Sequence, residues 1–390
     1  PGLGSHIQNG GECVVERVKV GIIGLGSLTQ RGTLPHTFER DARQRIVPLA
    51  VCDPVPGRAD AVAEKWLWEQ AYTSDEEMLA RADLDAVIIN SPIPYHYQQI
   101  KRALEAGKHV YTQKSMTTTF AEADEVVELA RAKGLTLVAS PGEMLRPPWP
   151  QIKEQVVDAG LIGRVYWAIG GLQFPGHEYE QFRREDDVLA NVDPSWYYKP
   201  GGGPLYDATV YTMHQMTGIL GPVRRVSALS AIGLKERTFK GKTIEVEMDD
   251  NTQMLLDFGD ERHGVAYGAF CHGSSMPRFA IHGSEGTVEV MQVRAGPAPA
   301  QRGSTVVVRG WNVEGGERVL ETPDMPYRVG PHKEIGEAHG YADVMHFVEC
   351  IQSGRKPIPS GEHARHVIEI FEKTYQAARE RRAIEITSTL

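Results

Sequence analysis

Residues 18–26 read Val-Lys-Val-Gly-Ile-Ile-Gly-Leu-Gly, and the next apolar run, Ile46-Val-Pro-Leu-Ala-Val-Cys-Asp, closes on Asp53. A short apolar run entering a glycine-rich turn brings backbone N–H groups to a helix N-terminus, where a pyrophosphate is favoured. An acid at the end of the following strand accepts hydrogen bonds from a ribose diol. The turn itself is Gly24-Leu25-Gly26-Ser27-Leu28-Thr29, so Thr29 stands where a third glycine usually permits close helix–strand packing. Gly24, Gly26, Ser27, Leu28 and Asp53 are therefore the candidate dinucleotide contacts. A carboxylate at Asp53 repels a 2′-phosphate, and Pro54-Val55 bring no cation to hold one, which favours NAD over NADP. Taken alone, the glycines also suit an ordinary tight turn, and Asp53 a turn residue before Pro54.

Outward from this turn, β-branched runs alternate with helical stretches. The runs are Val18–Ile23, Ile46–Cys52, Ala86–Asn90, His109–Thr112 and Thr136–Ser140; between them lie Ser74–Arg81, His96–Ala106 and Phe120–Lys133. Ser74 with Glu77 has the form of a capping box. Strands alternating with helices predict parallel βαβ units with right-handed crossovers. After residue 160 the style changes to strands with few helices: 164–174, 223–233, 244–258, 264–273, 278–291 and 304–313. Gly259-Asp260-Glu261 and Gly283-Ser284-Glu285-Gly286 read as hairpin connections, and helices over 341–353 and 363–381 close the chain.

At 390 residues the chain exceeds the size at which single cores stop growing. The predicted organisation is a flexible tail over 1–16, with Gly4-Ser5-His6 resembling an expression-tag remnant, then a Rossmann-type α/β domain over 17–141. A substrate-binding and oligomerisation α+β domain with a large, mainly antiparallel open sheet follows over 142–390. The net charge of −9 argues against a nucleic-acid partner, and no apolar stretch approaches the ~20 residues needed to span a membrane. Four cysteines, widely spaced and without a C-x-x-C pair, read as free thiols in a cytoplasmic protein. No His/Asp/Glu cluster has metal-ligand spacing, so no metal is predicted.

Several later segments, in order, carry a family resemblance. Ser91-Pro92-Ile93-Pro94-Tyr95-His96 follows the fourth strand, Ala103-Leu104-Glu105-Ala106-Gly107-Lys108-His109-Val110 leads to the fifth, and Gln113-Lys114-Ser115 ends it. Arg146-Pro147 and Gly201-Gly202-Gly203 with Asp207 and Tyr211 come later. Over about residues 17–390 the chain resembles the glucose–fructose oxidoreductase / inositol dehydrogenase (Gfo/Idh/MocA) family. The resemblance implies that Ser91, Pro92, His96, Gln113 and Lys114 face the cofactor. It also implies that Arg146 and the aromatic run Trp196-Tyr197-Tyr198 face a sugar, glycoside or cyclitol. A homodimer or homotetramer through the second domain is the expectation it brings, in keeping with the uncovered face of a broad antiparallel sheet. Four departures stand out: Gln113 where the family usually has Glu, Ser115 where it usually has Pro, Tyr211 where it has its histidine, and His214 where it commonly has an aspartate.

The residues themselves permit a mechanism. Lys114 ends a strand at the carboxyl edge, where ligands bind. A loop lysine is ordinarily solvated; one partly desolvated beside cationic NAD has its pKa lowered toward the working range and can take a hydroxyl proton. Asp207, Tyr211 and His214 fall at i, i+4 and i+7, one stripe of a helix. Three such groups are costly to bury without partners, although the same stripe also suits simple packing on a neighbouring element. Lys114 and Tyr211 are thus expected around the reacting hydroxyl, with Asp207 orienting the substrate. His214 is expected as a relay, or as the proton-handling group in place of Tyr211. His177 and the charged segment 178–187 are read as a lid. The leading reading is an NAD(H)-dependent oxidoreductase of secondary alcohols. The others are an enzyme that recycles its NAD while cleaving or epimerising a sugar, and a non-catalytic NAD sensor.

Overall fold

In the computed structural model, residues 16–184, 187–189, 192–272, 279–294 and 302–390 are described. Residues 1–15 of the tail expected over 1–16, Cys13 included, and two pairs within and beside the charged segment after His177 lie outside them. Strands β1 (Val18–Ile23), β2 (Ile46–Cys52), β3 (Gln70–Tyr72), β4 (Ala86–Ile89), β5 (His109–Thr112) and β6 (Leu137–Ala139) form one parallel sheet, ordered β3-β2-β1-β4-β5-β6. Because side chains alternate along a strand, its apolar runs serve two layers. Val87 and Ile89 pack with the helices Ile93–Glu105 and Phe120–Lys133, whereas Ala86 and Ile88 pack with Val18, Val20 and Ile22 on the opposite face.

Local signals explain where these elements start and stop. Phe120–Lys133 opens on a full capping box: Thr119 Oγ1 accepts from the Glu122 N–H at 3.3 Å, and the Glu122 carboxylate accepts from the Thr119 N–H at 3.1 Å. Ser74 likewise accepts from the Glu77 N–H at 3.3 Å. The helix predicted from His96 begins earlier, at Ile93, since Pro94 in a first turn has no N–H that the helix would use.

The second sheet is mixed. In chain order its region contains β7 (Val165–Gln173), β8 (Arg225–Ala231), the small hairpin β9 (Glu236–Phe239) and β10 (Lys242–Glu245), β11 (Asn251–Gly259), β12 (Arg262–Ala269), β13 (Phe279–Gly283), β14 (Gly286–Arg294), β15 (Arg302–Gly310), β16 (Glu317–Leu320) and β17 (Ile384–Glu385). Nine of these strands pair in the order β16-β15-β14-β13-β7-β12-β11-β8-β17, while β9 and β10 stand apart. All pairs are antiparallel except β7 with β12. The run predicted over 244–258 divides between β10 and β11. The two predicted turns join β11 to β12 and β13 to β14.

One face of this sheet carries the helices Val210–Leu220 and Gly361–Glu380; the other leaves Leu229, Leu255, Tyr166 and Trp167 exposed. The two closing helices cross back over the predicted boundary at 141/142. Ala338–Ser353 lays Val344, Phe347, Val348 and Ile351 on the parallel sheet beside Val18 and Val20, completing the nucleotide domain from the far end of the chain. Gly361–Glu380 packs on both Phe120–Lys133 and β8. Phe371, fully buried on that helix and edge-on to Tyr206 at 5.3 Å, lies in the core that the two domains share. Phe371→Ala is expected to cost about 3–5 kcal/mol, read as a lowered urea midpoint common to both domains.

Candidate active site

The glycine turn meets the carboxyl edge of the parallel sheet. Gly24 has φ +88°, and a Cβ there would lie 2.5 Å from the Ser91 backbone nitrogen, so no other residue fits without moving the next loop. Thr29 replaces the third glycine without harm. Its buried hydroxyl donates to the Gly24 carbonyl at 2.7 Å and accepts from Asn90 Nδ2 at 3.0 Å. The close approach falls instead at Gly32, where a Cβ would stand 2.6 Å from that of Glu337. Asp53 Oδ2 accepts from the Leu25 N–H at 2.9 Å, tying the acid to the turn. The sequence expectation looked only to Pro54-Val55 for a cation. Arg58 supplies one, its Nη1 lying 3.2 Å from Asp53 Oδ1 while its Nε donates to the Val188 carbonyl.

A cleft of about 410 Å³ runs from this turn to the second domain. Gly24, Gly26, Ser27, Leu28, Asp53, Ser91, Pro92, Gln113 and Lys114 line it from the nucleotide domain, and Trp196, Tyr197, Asp207 and Tyr211 from the other. Asn90 Oδ1, buried there, has no protein partner. A turn that admits only glycine, an acid at the second strand end and an unpartnered carbonyl oxygen together suit the ribose and phosphates of a dinucleotide.

Lys114 emerges from β5, and Asp207 lies in the π-wound turn Leu205–Thr209 that precedes Val210–Leu220. Lys114 Nζ donates to Asp207 Oδ1 at 2.7 Å and also to the Asp207 carbonyl. His177 Nε2 lies 2.8 Å from Asp207 Oδ2, so both carboxylate oxygens are engaged by protein and Asp207 holds Lys114 rather than standing ready for substrate. The Tyr211 ring centroid is 5.2 Å from Lys114 Nζ, and its hydroxyl lies 3.3 Å from His339 Nε2. Trp196 stacks on Tyr197 at 3.7 Å, forming an aromatic wall.

The lowering expected for Lys114 rests on the charge of bound NAD; the protein's own groups act the other way. Burial favours the neutral amine, but the carboxylate of Asp207 outweighs it and raises the pKa above the ordinary lysine value. Asp207 moves the opposite way: burial pushes its pKa up, and the two cations Lys114 and His177 bring it well below the usual carboxylate range. Burial raises Tyr211, while His339 is lowered to about 3 by burial and by the charges of Arg146 and Lys114.

Four expected site residues do not line the cleft. His214 is buried, has no hydrogen-bond partner on either ring nitrogen, and stacks on His363 at 4.4 Å. Tyr211 and His214 both lie in the regular helix Val210–Leu220, where three residues leave their side chains about 60° apart, so Tyr211 stays on the cleft with Asp207 while His214 packs on His363 of Gly361–Glu380. Arg146 is buried with its guanidinium committed to the Gly142 carbonyl at 3.0 Å and Glu143 at 2.5 Å. Tyr198 is buried against Phe270, its hydroxyl held by Glu178 and the His177 N–H. His96 lies within 2.8 Å of the Ser115 carbonyl and 2.7 Å of that of Ser91, bracing the two loops that border the cleft.

Residues 18–140 match an oxidoreductase family profile with an NAD-binding Rossmann fold, and residues 156–386 match the C-terminal alpha/beta domain of the same Gfo/Idh/MocA group. The chain belongs to that family. Its first domain is therefore an NAD-binding Rossmann domain. Among relatives, it is 30% identical over 212 residues to a dTDP-3,4-didehydro-2,6-dideoxy-alpha-D-glucose 3-reductase of Streptomyces violaceoruber, covering 54% of this chain and 57% of the relative. It is 29% identical over 219 residues to a D-glucoside 3-dehydrogenase of Escherichia coli, covering 55% and 57%. The chain thus spans just over half the length of these curated relatives. In fold it is similar to a levoglucosan dehydrogenase solved with NADH, at TM-score 0.76 and 19% identity over 96% of this chain and all of that one. An aldose-aldose oxidoreductase from Caulobacter crescentus gives 0.72 at 22% identity, covering 95% and 100%.

Lys114 and Asp207 meet in the cleft, with Tyr211 beside them. His177, Glu180, Arg183 and His339 complete the cleft from segments far away in sequence. Sequence reading gave His177, Glu180 and Arg183 only a place in a lid, and His339 no site role. The Gly-Gly-Gly run pointed to Asp207, but nothing local marks its partners.

The buried histidines predict an acid-sensitive fold. Burial lowers His214 well below its ordinary value, His363 to about 3 and His366 to about 4. Each binds protons more weakly folded than unfolded, so stability is fully present above about pH 6.5. Below that it falls by about 1.4 kcal/mol per pH unit for each such residue. His214→Leu is expected to remain folded and to make the loss of stability between about pH 6.5 and about pH 5 shallower by one such increment. Urea midpoints across that range check it.

Proposed function

We infer that the protein is an NAD(H)-dependent oxidoreductase interconverting a secondary alcohol and a carbonyl on a sugar, glycoside or cyclitol. The observation that carries the reading is the Lys114–Asp207 pair, a proton-bearing group fixed at the junction of the nucleotide end and the aromatic end of one cleft. The names of its relatives, sugar reductases and dehydrogenases, support the substrate class.

NAD, when bound, supplies the hydride acceptor or donor. Gly24, Gly26, Ser27, Leu28 and Asp53 would hold its adenosine and phosphates, with Ser91, Pro92 and Gln113 lining the approach to Lys114. The remaining task falls to this chain: a proton must reach or leave the substrate oxygen. Lys114, held as an ammonium by Asp207, gives its proton to the oxygen of a carbonyl being reduced. In the oxidative direction the neutral amine, left once the ammonium has lost a proton to solvent, takes the hydroxyl proton. Tyr211 sits beside Lys114 as a neutral phenol and offers a second donor to the same oxygen. Trp196 and Tyr197 present flat apolar faces suited to a sugar ring.

One observation favours a variant in which NAD stays bound and is regenerated within each turnover. The segment after His177 is tied across the nucleotide end: Arg58 donates to the Val188 carbonyl at 2.9 Å, and the Arg31 guanidinium lies 4.1 Å from the Phe182 ring. Product formation without net NADH absorbance would distinguish it. The exposed sheet face bearing Leu229, Leu255, Tyr166 and Trp167 supports a homo-oligomer. Among the described residues no helix is long and apolar enough to cross a membrane. Cys52, Cys271 and Cys350 are free thiols, in keeping with a cytoplasmic setting.

Lys114→Ala is expected to lower kcat for a panel of sugars and glycosides by about 10²–10⁴-fold while leaving NADH affinity largely intact. Full activity in that variant would end the reading. Because Asp207 keeps Lys114 protonated, kcat for carbonyl reduction should be flat from about pH 6 to about pH 9, and a titration inside that range would remove Lys114 from the role.

A further inference from the structure

Asp207 shares its charge in two directions. Oδ1 accepts from Lys114 Nζ at 2.7 Å, and Oδ2 lies 2.8 Å from His177 Nε2. Beyond it, His177 Nδ1 lies 3.0 Å from Glu180 Oε2, which accepts from Arg183 Nε at 2.5 Å. Charges therefore alternate in single file: ammonium, carboxylate, imidazole, carboxylate, guanidinium. The imidazole is locked in this orientation. It stacks on Tyr197 at 3.6 Å and 20°, meets Phe174 edge-on at 5.0 Å, and its backbone N–H donates to the Tyr198 hydroxyl at 3.0 Å. With a carboxylate against each ring nitrogen, both must donate, and only the imidazolium donates from both.

Other groups around the pair hold their charge through the working range. Tyr211, Tyr197, His96 and His339 face Lys114; Asp207, Glu180, Tyr197 and Tyr198 face His177. Burial pushes Tyr197 up to about 12 and raises Tyr211 and Tyr198, while His96 and His339 are lowered and stay neutral. Glu180 is lowered, since His177 and Arg183 outweigh its burial, and so stays ionised. Burial also works against the His177 charge, but Asp207 and Glu180 outweigh it and raise its pKa. The imidazolium is thus the natural state of His177.

We propose that His177 is a positioning residue for Lys114: as an imidazolium on Asp207 Oδ2 it offsets part of that carboxylate's charge and keeps the Lys114 ammonium able to release its proton to a substrate oxygen. Without it, Asp207 would serve Lys114 alone, and an unshared buried carboxylate holds an ammonium proton more tightly. The inference rests on Lys114 being the proton-transfer group.

A test on the full chain with NADH bound needs no substrate. His177→Gln keeps a side-chain N–H for Asp207 and removes the charge. Trace acetylation with acetic anhydride, read by mass spectrometry as the ratio of Lys114 to the exposed Lys356, reports how readily Lys114 loses its proton. Lys114 is expected to label about tenfold more slowly in the variant, the equivalent of about one pH unit, at unchanged NADH affinity. Labelling at the wild-type rate or faster overturns the proposal. If His177→Gln does not fold, His177→Asn carries the same expectation in the same assay. In turnover, the alkaline rise of kcat for alcohol oxidation should move up by about one pH unit. An equal loss at every pH would instead mark a merely structural role and overturn the proposal. Failure of the wild-type chain to oxidise or reduce any sugar sinks the functional reading, while the labelling ratio still decides the role of His177.

Discussion

A buried ammonium cannot stand without a counter-charge, and the functional half of this molecule is arranged around that constraint. Lys114 and Asp207 retain 17% and 7% of their side-chain exposure and meet at 2.7 Å. Taking both from water is expensive, and removing Asp207 would leave Lys114 and His177 without their shared counter-charge, at a cost of about 3–5 kcal/mol. The pair therefore couples the carboxyl edge of the parallel sheet to the π-wound turn of the second domain. Neither domain contains the site alone.

Supports converge on the same point. A Cβ on Gly202 would stand 2.6 Å from the carbonyls of Trp196 and Tyr197, so the glycine run allows the aromatic wall to approach the turn bearing Asp207. Thr209 Oγ1 donates to the Tyr267 carbonyl at 3.2 Å, tying that turn to β12. Ser115 Oγ donates to the Tyr206 carbonyl at 2.7 Å, tying the segment after Lys114 to the same turn. On the nucleotide side the returning helix Ala338–Ser353 brings Glu337 to Arg31 at 2.8 Å and His339 to Tyr211. The chain from Glu337 onward thus finishes both the Rossmann core and the rim of the cleft.

What was legible along the chain was whatever depends on near neighbours. Phe120–Lys133 was readable to the residue because its capping box and its closing Gly134 are local devices. β3 was not, since Gln70–Tyr72 is three half-buried residues without alternation, held only by pairing to β2. His214 and Arg146 illustrate the complementary failure. Each has a residue type suited to chemistry, and each is turned away by packing or by a local ion pair that no spacing rule contains.

The strands, the glycine turn and Asp53 follow from residue type and short-range geometry: β-branched alternation, a left-handed φ at Gly24, an acid closing a strand. The same local chemistry placed Lys114 at a sheet edge and Asp207 after a glycine run. Which groups share a proton was decided only in three dimensions. His177 is 30 positions from Asp207 and 63 from Lys114, and nothing in its own neighbourhood points to either. Its role arises because β7 ends opposite the π turn, and buried charges settle wherever folding brings opposite charges within hydrogen-bond reach.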